Sequence, residues 1–397
     1  MLNRALLSAP RDSDASDHLD MIRGLAAVAV LMGHARHLFF VDGGEVTNFT
    51  LPLRMLYFLS SFGHQAVIVF FVLSGFFVGS GVLRAWQQQR WSWSVYLAAR
   101  LTRLYVVLVP ALIMGLLWDR LGMVFGHSQT YFAELPNFGF VISARVTVSA
   151  FIGSLSFLQE IVTPSFGSNG ALWSLASEFW YYMLFPLMVT VWFGRTARWR
   201  LFAGAIAGAI AFGIGKGITL YFSVWLLGVL VALANTRISP WLTWNRSIAA
   251  VASMVLLGAA ATIARFAVHK VEYILDLMTG LTFAGLLYVV VRTAKPNIHG
   301  IYSDISRGLS RFSYTIYLSH LPVLCFARSL VIGGVRWQPD GYHLGLWAGI
   351  LVGVAAYIWC FYSVAEKHTD SIRRRMSTRA LAGFTQASRV EGSLALR

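Results

Sequence analysis

Charge is what this chain has least of. Charged residues fill 12% of its 397 positions, about half the share of a soluble domain. Acidic residues are the scarcer sign, 17 against 32 basic ones. That scarcity excludes the two or three soluble domains that length alone would suggest. Cysteine is also rare. Cys325 and Cys360 both lie in apolar segments, which excludes a disulfide framework and a thiolate metal site. Residues 1–18 are polar and no small-residue cleavage site follows the first apolar run, so that run is expected to stay as an anchor. The formal charge of +15 invites a nucleic-acid partner. No basic patch interleaved with exposed aromatics stands outside the apolar segments, and nucleic acid is excluded.

What the chain has is apolar length. It is 57% hydrophobic, and runs long enough to span a bilayer recur throughout. The fold class expected is all-α, a polytopic membrane helix bundle of about ten transmembrane helices in contact with membrane lipid. The spans fall roughly at 19–40, 57–83, 96–118, 171–193, 201–216, 218–234, 247–267, 273–291, 312–333 and 343–364. With both termini cytoplasmic, 23 of the 32 basic residues fall on the cytoplasmic side and 9 on the other, the positive-inside bias. Residues 1–18 then form a cytoplasmic tail, 19–366 one integral membrane domain, and 367–397 a basic cytoplasmic tail. Residues 119–170 make the longest connection on the far side. Its apolar piece, Val146 to Leu158, is too short to cross and suits an interfacial or re-entrant course.

The first span carries Arg23 and His34, eleven residues apart and therefore on one helix face, separated by a rise of ~16 Å. Ionisable groups at that depth are costly and point to function. His34 is either a satisfied core imidazole or a base that takes a proton from a hydroxyl. His37 lies one turn on, but no third ligand at metal-binding spacing accompanies the pair, and no metal site is expected. Glu178 is the acidic residue deepest in a span and shares a face with Ser174. It either locks two helices through a hydrogen bond or supports a charged imidazole. Arg100 and Arg103 sit at the level of Arg23. Each alone is ordinary anchoring; together the three can grip phosphates.

In the second span Ser74-Gly75 suits close helix approach better than nucleophilic chemistry. In the ninth, Ser313, Tyr317 and His320 share a face ahead of Pro322, which frees a backbone carbonyl about a turn earlier. That face either lines a cavity or glues helices together.

Four segments together resemble the acyltransferase 3 family. Arg23 and His34 match its arginine–ten residues–histidine motif. Phe70-Phe71-Val72-Leu73-Ser74-Gly75-Phe76 matches a second, and Leu172-Trp173-Ser174-Leu175 with Glu178 and Tyr182 a third. Ser313-Tyr314-Thr315-Ile316-Tyr317-Leu318-Ser319-His320 matches a fourth. The resemblance runs in order from about 19 to 366. Gln65-Ala66-Val67 looks like the lead-in of members that decorate exopolysaccharide or lipopolysaccharide. The chain departs from the family pattern at Ile68, where many members have aspartate, at Val106, where proline is common, and at Glu366-Lys367-His368, where a Glu-Lys-Pro is common. Some members carry an added soluble hydrolase-like domain, and none is expected here.

The resemblance implies a bacterial inner-membrane enzyme that transfers an acyl group, often acetyl from acetyl-CoA, to a hydroxyl of a carbohydrate or other acceptor. Polysaccharide assembly proteins are a further class of partner. His34 and Glu178 are the catalytic candidates, and Arg23, Arg100 and Arg103 the acyl-CoA ligands. Ser74, Trp173, Ser174, Tyr317 and His320 are expected to line the substrate cavity. Direct transfer and an acyl-histidine intermediate both remain open. Two other readings compete. One is a proton-coupled transporter or flippase with His34 and Glu178 as a proton relay. The other is a non-catalytic subunit of a polysaccharide assembly machine.

Overall fold

A computed structural model describes residues 13–135, 139–234, 245–265, 272–296, 300–369 and 371–372. Among these residues the regular structure is helical, with only isolated β-bridges. Most of both expected tails, 1–12 and 373–397, lies outside the described residues. The helices are α1 Asp14–Phe39, α2 Leu51–Leu59, α3 Gly63–Gln87, α4 Trp93–Phe125, α5 Ser128–Phe132, α6 Val148–Leu155, α7 Trp173–Phe193, α8 Ala197–Gly213, α9 Gly215–Leu233, α10 Arg246–Arg265, α11 Glu272–Arg292, α12 Ile301–Val331 and α13 Gly341–Val364. Each of the ten expected spans overlaps a helix of at least 17 residues. Among the described residues six stretches are long and apolar enough to cross a membrane: Leu51–Gln87, Trp93–Phe125, Gly215–Leu233, Arg246–Ile263, Glu272–Arg292 and Gly341–Val364.

Three of the boundaries that differ from the sequence reading have a clear physical reason. The first helix starts at Asp14, inside the expected tail; Asp14 pairs with Arg246 at 2.6 Å and accepts from the Lys295 amide, so its end is tied down. The expected span 57–83 is broken near Ser60, whose hydroxyl accepts from Arg36 Nε at 3.0 Å and donates to Leu56 O. The short α2 before the break turns Leu51, Met55 and Leu59 outward. The ninth helix begins at Ile301, eleven residues before its apolar window. Its early face is polar yet buried. Ser303, Ser306, Ser310, Ser313, Tyr317 and His320 recur at alternating steps of three and four, a continuous seam on one side.

Helix packing here depends on missing side chains. A Cβ on Gly24 of α1 would lie 2.5 Å from Leu309 Cβ of α12. On Gly75 of α3 it would strike the Trp225 carbonyl, and on Gly228 of α9 the Val72 carbonyl. Small residues thus let backbones meet, as expected of Ser74-Gly75. Three prolines, Pro110, Pro186 and Pro322, lie inside helices and leave carbonyls without their helical partners, since proline has no N–H. The carbonyl four residues before Pro186, on Tyr182, accepts from Tyr96 OH at 3.0 Å. The one before Pro322, on Leu318, accepts from Asn169 Nδ2 at 2.8 Å.

That second bond comes from the long 119–170 connection, which folds back over the bundle. Asp119, two turns before the end of α4, accepts from the Ser168 amide at 2.9 Å and hydroxyl at 2.7 Å. Gly167 has φ +57°, and a Cβ there would collide with the Asp119 carboxylate. Phe157 stacks on Phe179 of α7 at 4.3 Å, and Trp180 Nε1 donates to its carbonyl. The apolar piece Val146 to Leu158 therefore contains α6, and Phe157 beyond that helix is buried against α7.

Candidate active site

Helices α1, α3, α4, α7 and α12 enclose a cavity of about 300 Å3. Seven of the ten site residues expected from sequence line it: Arg23, Ser74, Arg100, Arg103, Ser174, Glu178 and Tyr317. Three guanidiniums line it together with one carboxylate, Glu178. Arg23 reaches Ser310 through Nη2 and lies 3.5 Å from Asp20. Among the described residues its buried Nε has no hydrogen-bond partner, and neither has Nε of Arg100. Arg100 stands over the rings of Tyr96 and Tyr182, 5.7 Å from each. Arg103 makes no hydrogen bond or ion pair among the described residues. Buried donors are almost always paired in folded proteins, so unpaired guanidinium N–H groups around one cavity mark a place built for an anion.

Glu178 is held within this cavity. Its Oε1 accepts from Ser74 Oγ at 2.8 Å and from Tyr182 OH. Ser74 in turn accepts from Trp225 Nε1 at 3.1 Å. Ser74 is thus a fixed link between α3, α7 and α9, and its proton is committed to the carboxylate. Ser174 Oγ and Tyr317 OH lie 2.5 Å apart, joining α7 to α12. The cavity face and the helix-locking face expected as alternatives in α12 are one and the same.

The imidazoles lie beyond the cavity wall. His34 Nδ1 is 2.8 Å from His320 Nε2, with the rings stacked at 5.1 Å. His320 is fully buried, and its Nδ1 lies 2.6 Å from the Ile316 carbonyl. A carbonyl can only accept, so the His320 proton sits on Nδ1 and its Nε2 is an acceptor. The contact with His34 then requires the proton on His34 Nδ1. His34 Nε2 is left with its lone pair, the arrangement a general base needs. The sequence reading gave His34 a carboxylate partner in Glu178. In the structure its ring partner is His320, and Glu178 stays with Ser74, Tyr182 and the arginines.

Trp173 is not part of the cavity lining. It opens α7 and packs edge-on against Phe71 at 5.9 Å. On its other side lies a cluster that sequence reasoning missed. His64 Nε2 is 2.7 Å from Asp276 Oδ2, and Tyr221 OH donates to the same oxygen at 2.6 Å. The two partners are 212 positions apart, beyond any spacing rule. The only signal was a second acidic residue inside an apolar span.

Comparison with known proteins identifies the family. A family model for an acyltransferase domain, Acyl_transf_3, matches residues 17–365. Nodulation protein 10 of Rhizobium leguminosarum bv. viciae is 25% identical, over 94% of this chain and 99% of its own. Acyltransferase MdmB of Streptomyces mycarofaciens is 24% identical, over 79% of this chain and 80% of its own. No solved structure matches. With four motifs in order and a match across nearly its whole length, the chain belongs to the acyltransferase 3 family and is a membrane protein that transfers acyl groups.

Proposed function

We propose that this acyltransferase takes an acyl group, acetyl first among those to test, from acyl-CoA and passes it to a hydroxyl of a carbohydrate such as an exopolysaccharide or lipopolysaccharide sugar. The setting proposed is the bacterial inner membrane, with ten spans and both termini cytoplasmic. The observation that carries the donor assignment is the pair of buried, partnerless Nε atoms of Arg23 and Arg100 beside Arg103. The phosphates of a CoA thioester satisfy such a cluster. From Arg23 the same helix leads to His34 over ~16 Å, a reach suited to the pantetheine arm.

At the far end His34 Nε2 accepts the acceptor's hydroxyl proton. The oxygen bonds to the thioester carbonyl carbon, the C–S bond breaks, and the thiolate takes the proton back from His34. His320 keeps the ring oriented throughout, its own proton anchored on the Ile316 carbonyl. This is the division between base and orienting group seen in hydrolytic triads, with an imidazole in the carboxylate's place.

The test uses purified protein with radiolabelled acetyl-CoA. Wild type is expected to cleave the thioester and His34→Ala to lose that cleavage. Label that stays on the protein identifies an acyl-histidine intermediate; label that leaves in product or acetate supports direct transfer. A His34→Ala protein that keeps full activity sinks both versions.

A further inference from the structure

The cluster behind Trp173 has no role in the scheme above, and it has the chemistry of a ligand site. We propose that His64 and Asp276, with Trp173 as a wall, bind the acceptor: a carboxylate-fixed imidazole that meets a hydroxyl of a sugar-class molecule. The inference rests on the acyl-transfer reading and assigns its second substrate a place.

His64 is the second residue of α3, and Asp276 lies in the second turn of α11. Asp276 is 1% exposed and receives two hydrogen bonds on one oxygen, from His64 and Tyr221. Those bonds fix the His64 ring, because the carboxylate accepts and Nε2 must carry the proton. Nδ1 makes no hydrogen bond among the described residues. A hydroxyl both donates and accepts, so it pairs with Nδ1 whether or not that nitrogen is protonated.

His64, Glu272 and Asp276 could also hold a metal by donor type. The spacing argues otherwise. Two ligands of a tetrahedral zinc with bonds of 2.0–2.2 Å stand about 3.3–3.6 Å apart. His64 Nε2 and Asp276 Oδ2 are 2.7 Å apart, the distance of a shared proton.

The position fits an acceptor. A Cβ on Gly63 would lie 3.6 Å from Val30 Cα, so α3 meets α1 one turn before His34, ~6 Å along the axis. The Trp173 ring lies 17° from parallel to His64 at 6.4 Å. Its neighbour Ser174 and its contact Phe71 both line the donor cavity. An indole face beside an imidazole and a tyrosine suits a ring with apolar faces and a hydroxyl rim.

The test needs two readouts. The source organism, with its own copy deleted, receives wild type, His64→Ala, His64→Gln or Asp276→Asn. Alkali-labile acyl esters on its envelope carbohydrate are measured, and the purified variants are titrated with acetyl-CoA. The expected result is an ester yield reduced about tenfold or more in His64→Ala and Asp276→Asn. His64→Gln, which keeps a hydrogen-bonding amide, restores part of it, and acetyl-CoA affinity stays at the wild-type value. Wild-type ester yield in His64→Ala overturns the proposal, as does an equal loss of acetyl-CoA affinity. One equivalent of zinc in purified wild type, lost in His64→Ala, overturns it in favour of a metal centre. Absence of ester from wild-type cells retires the acyl-transfer reading itself.

Discussion

The two ends of α1 are built on opposite rules. Around Arg23, three guanidiniums converge and two of their Nε atoms are buried without partners. Around His34, every imidazole nitrogen but one is committed, ending on a backbone carbonyl. The first arrangement is incomplete by itself, since buried N–H groups stand without acceptors. The second is complete by itself, since its hydrogen bonds leave one lone pair aimed at chemistry. A group that reacts has to be oriented before the substrate arrives. A group that binds can be satisfied by the ligand it waits for. The comparison predicts that damage at the His34 end lowers turnover, whereas damage at the Arg23 end weakens donor binding.

The largest effect is expected at the pair itself. His34→Ala removes the base and lowers kcat by about 10²–10⁴-fold. His320→Ala keeps the base but frees its ring, and costs less, about 10–100-fold, the worth of one buried hydrogen bond. Equal losses for both would show that His320 reacts as well as orients. At the other end, Arg103→Ala is expected to raise the KM for acetyl-CoA about tenfold with kcat nearly kept. The deficit should shrink at high salt, where the wild type's own advantage is screened. A kcat defect as large as that of His320→Ala would erase the distinction between the two ends.

The same contrast explains what was legible in the sequence. Local patterns gave the helices, because an apolar window of sufficient length reads the same in any fold. Arg23 and His34 were legible because eleven residues on one helix fix their shared face. Their partners were not. His320 was visible as a polar residue on a helical face, but only packing brings it to His34, 286 positions away. Glu178 looked like a partner for His34 because it was the deepest carboxylate; Ser74 and Tyr182 hold it elsewhere. Ser303, Ser306 and Ser310 were too polar for an apolar window, although they bury the start of α12. Pro322 announced a freed carbonyl, and only the folded connection supplies Asn169 to meet it.

That bond sharpens the comparison from the side of stability, since Leu318 lies two residues before His320. Asn169→Ala leaves a buried carbonyl without a donor and is expected to destabilise the protein by about 1–3 kcal/mol. A lowered Tm with a smaller effect on kcat than His320→Ala shows is the expected outcome. A kcat loss matching His320→Ala would place Asn169 among the groups that orient the imidazoles.

The smallest effect lies away from both ends, where a carboxylate only starts a helix. Asp340 caps α13, accepting from the His343 amide at 2.9 Å and lying 2.7 Å from His343 Nδ1. The amide bond first, then the side-chain bond, holds its carboxyl below the ordinary value of 3.8. A carboxylate with a depressed folded pKa stabilises the fold above its unfolded value. The contribution is lost as pH falls through the lowered one. Asp340→Ala is therefore expected to lower Tm slightly at pH 7, by an amount that shrinks as pH drops well below 3.8. Donor KM and kcat should both stay at wild type. Any change in either would mean that the start of α13 is coupled to the site, and that the division between binding end and reacting end does not exhaust what holds it in place.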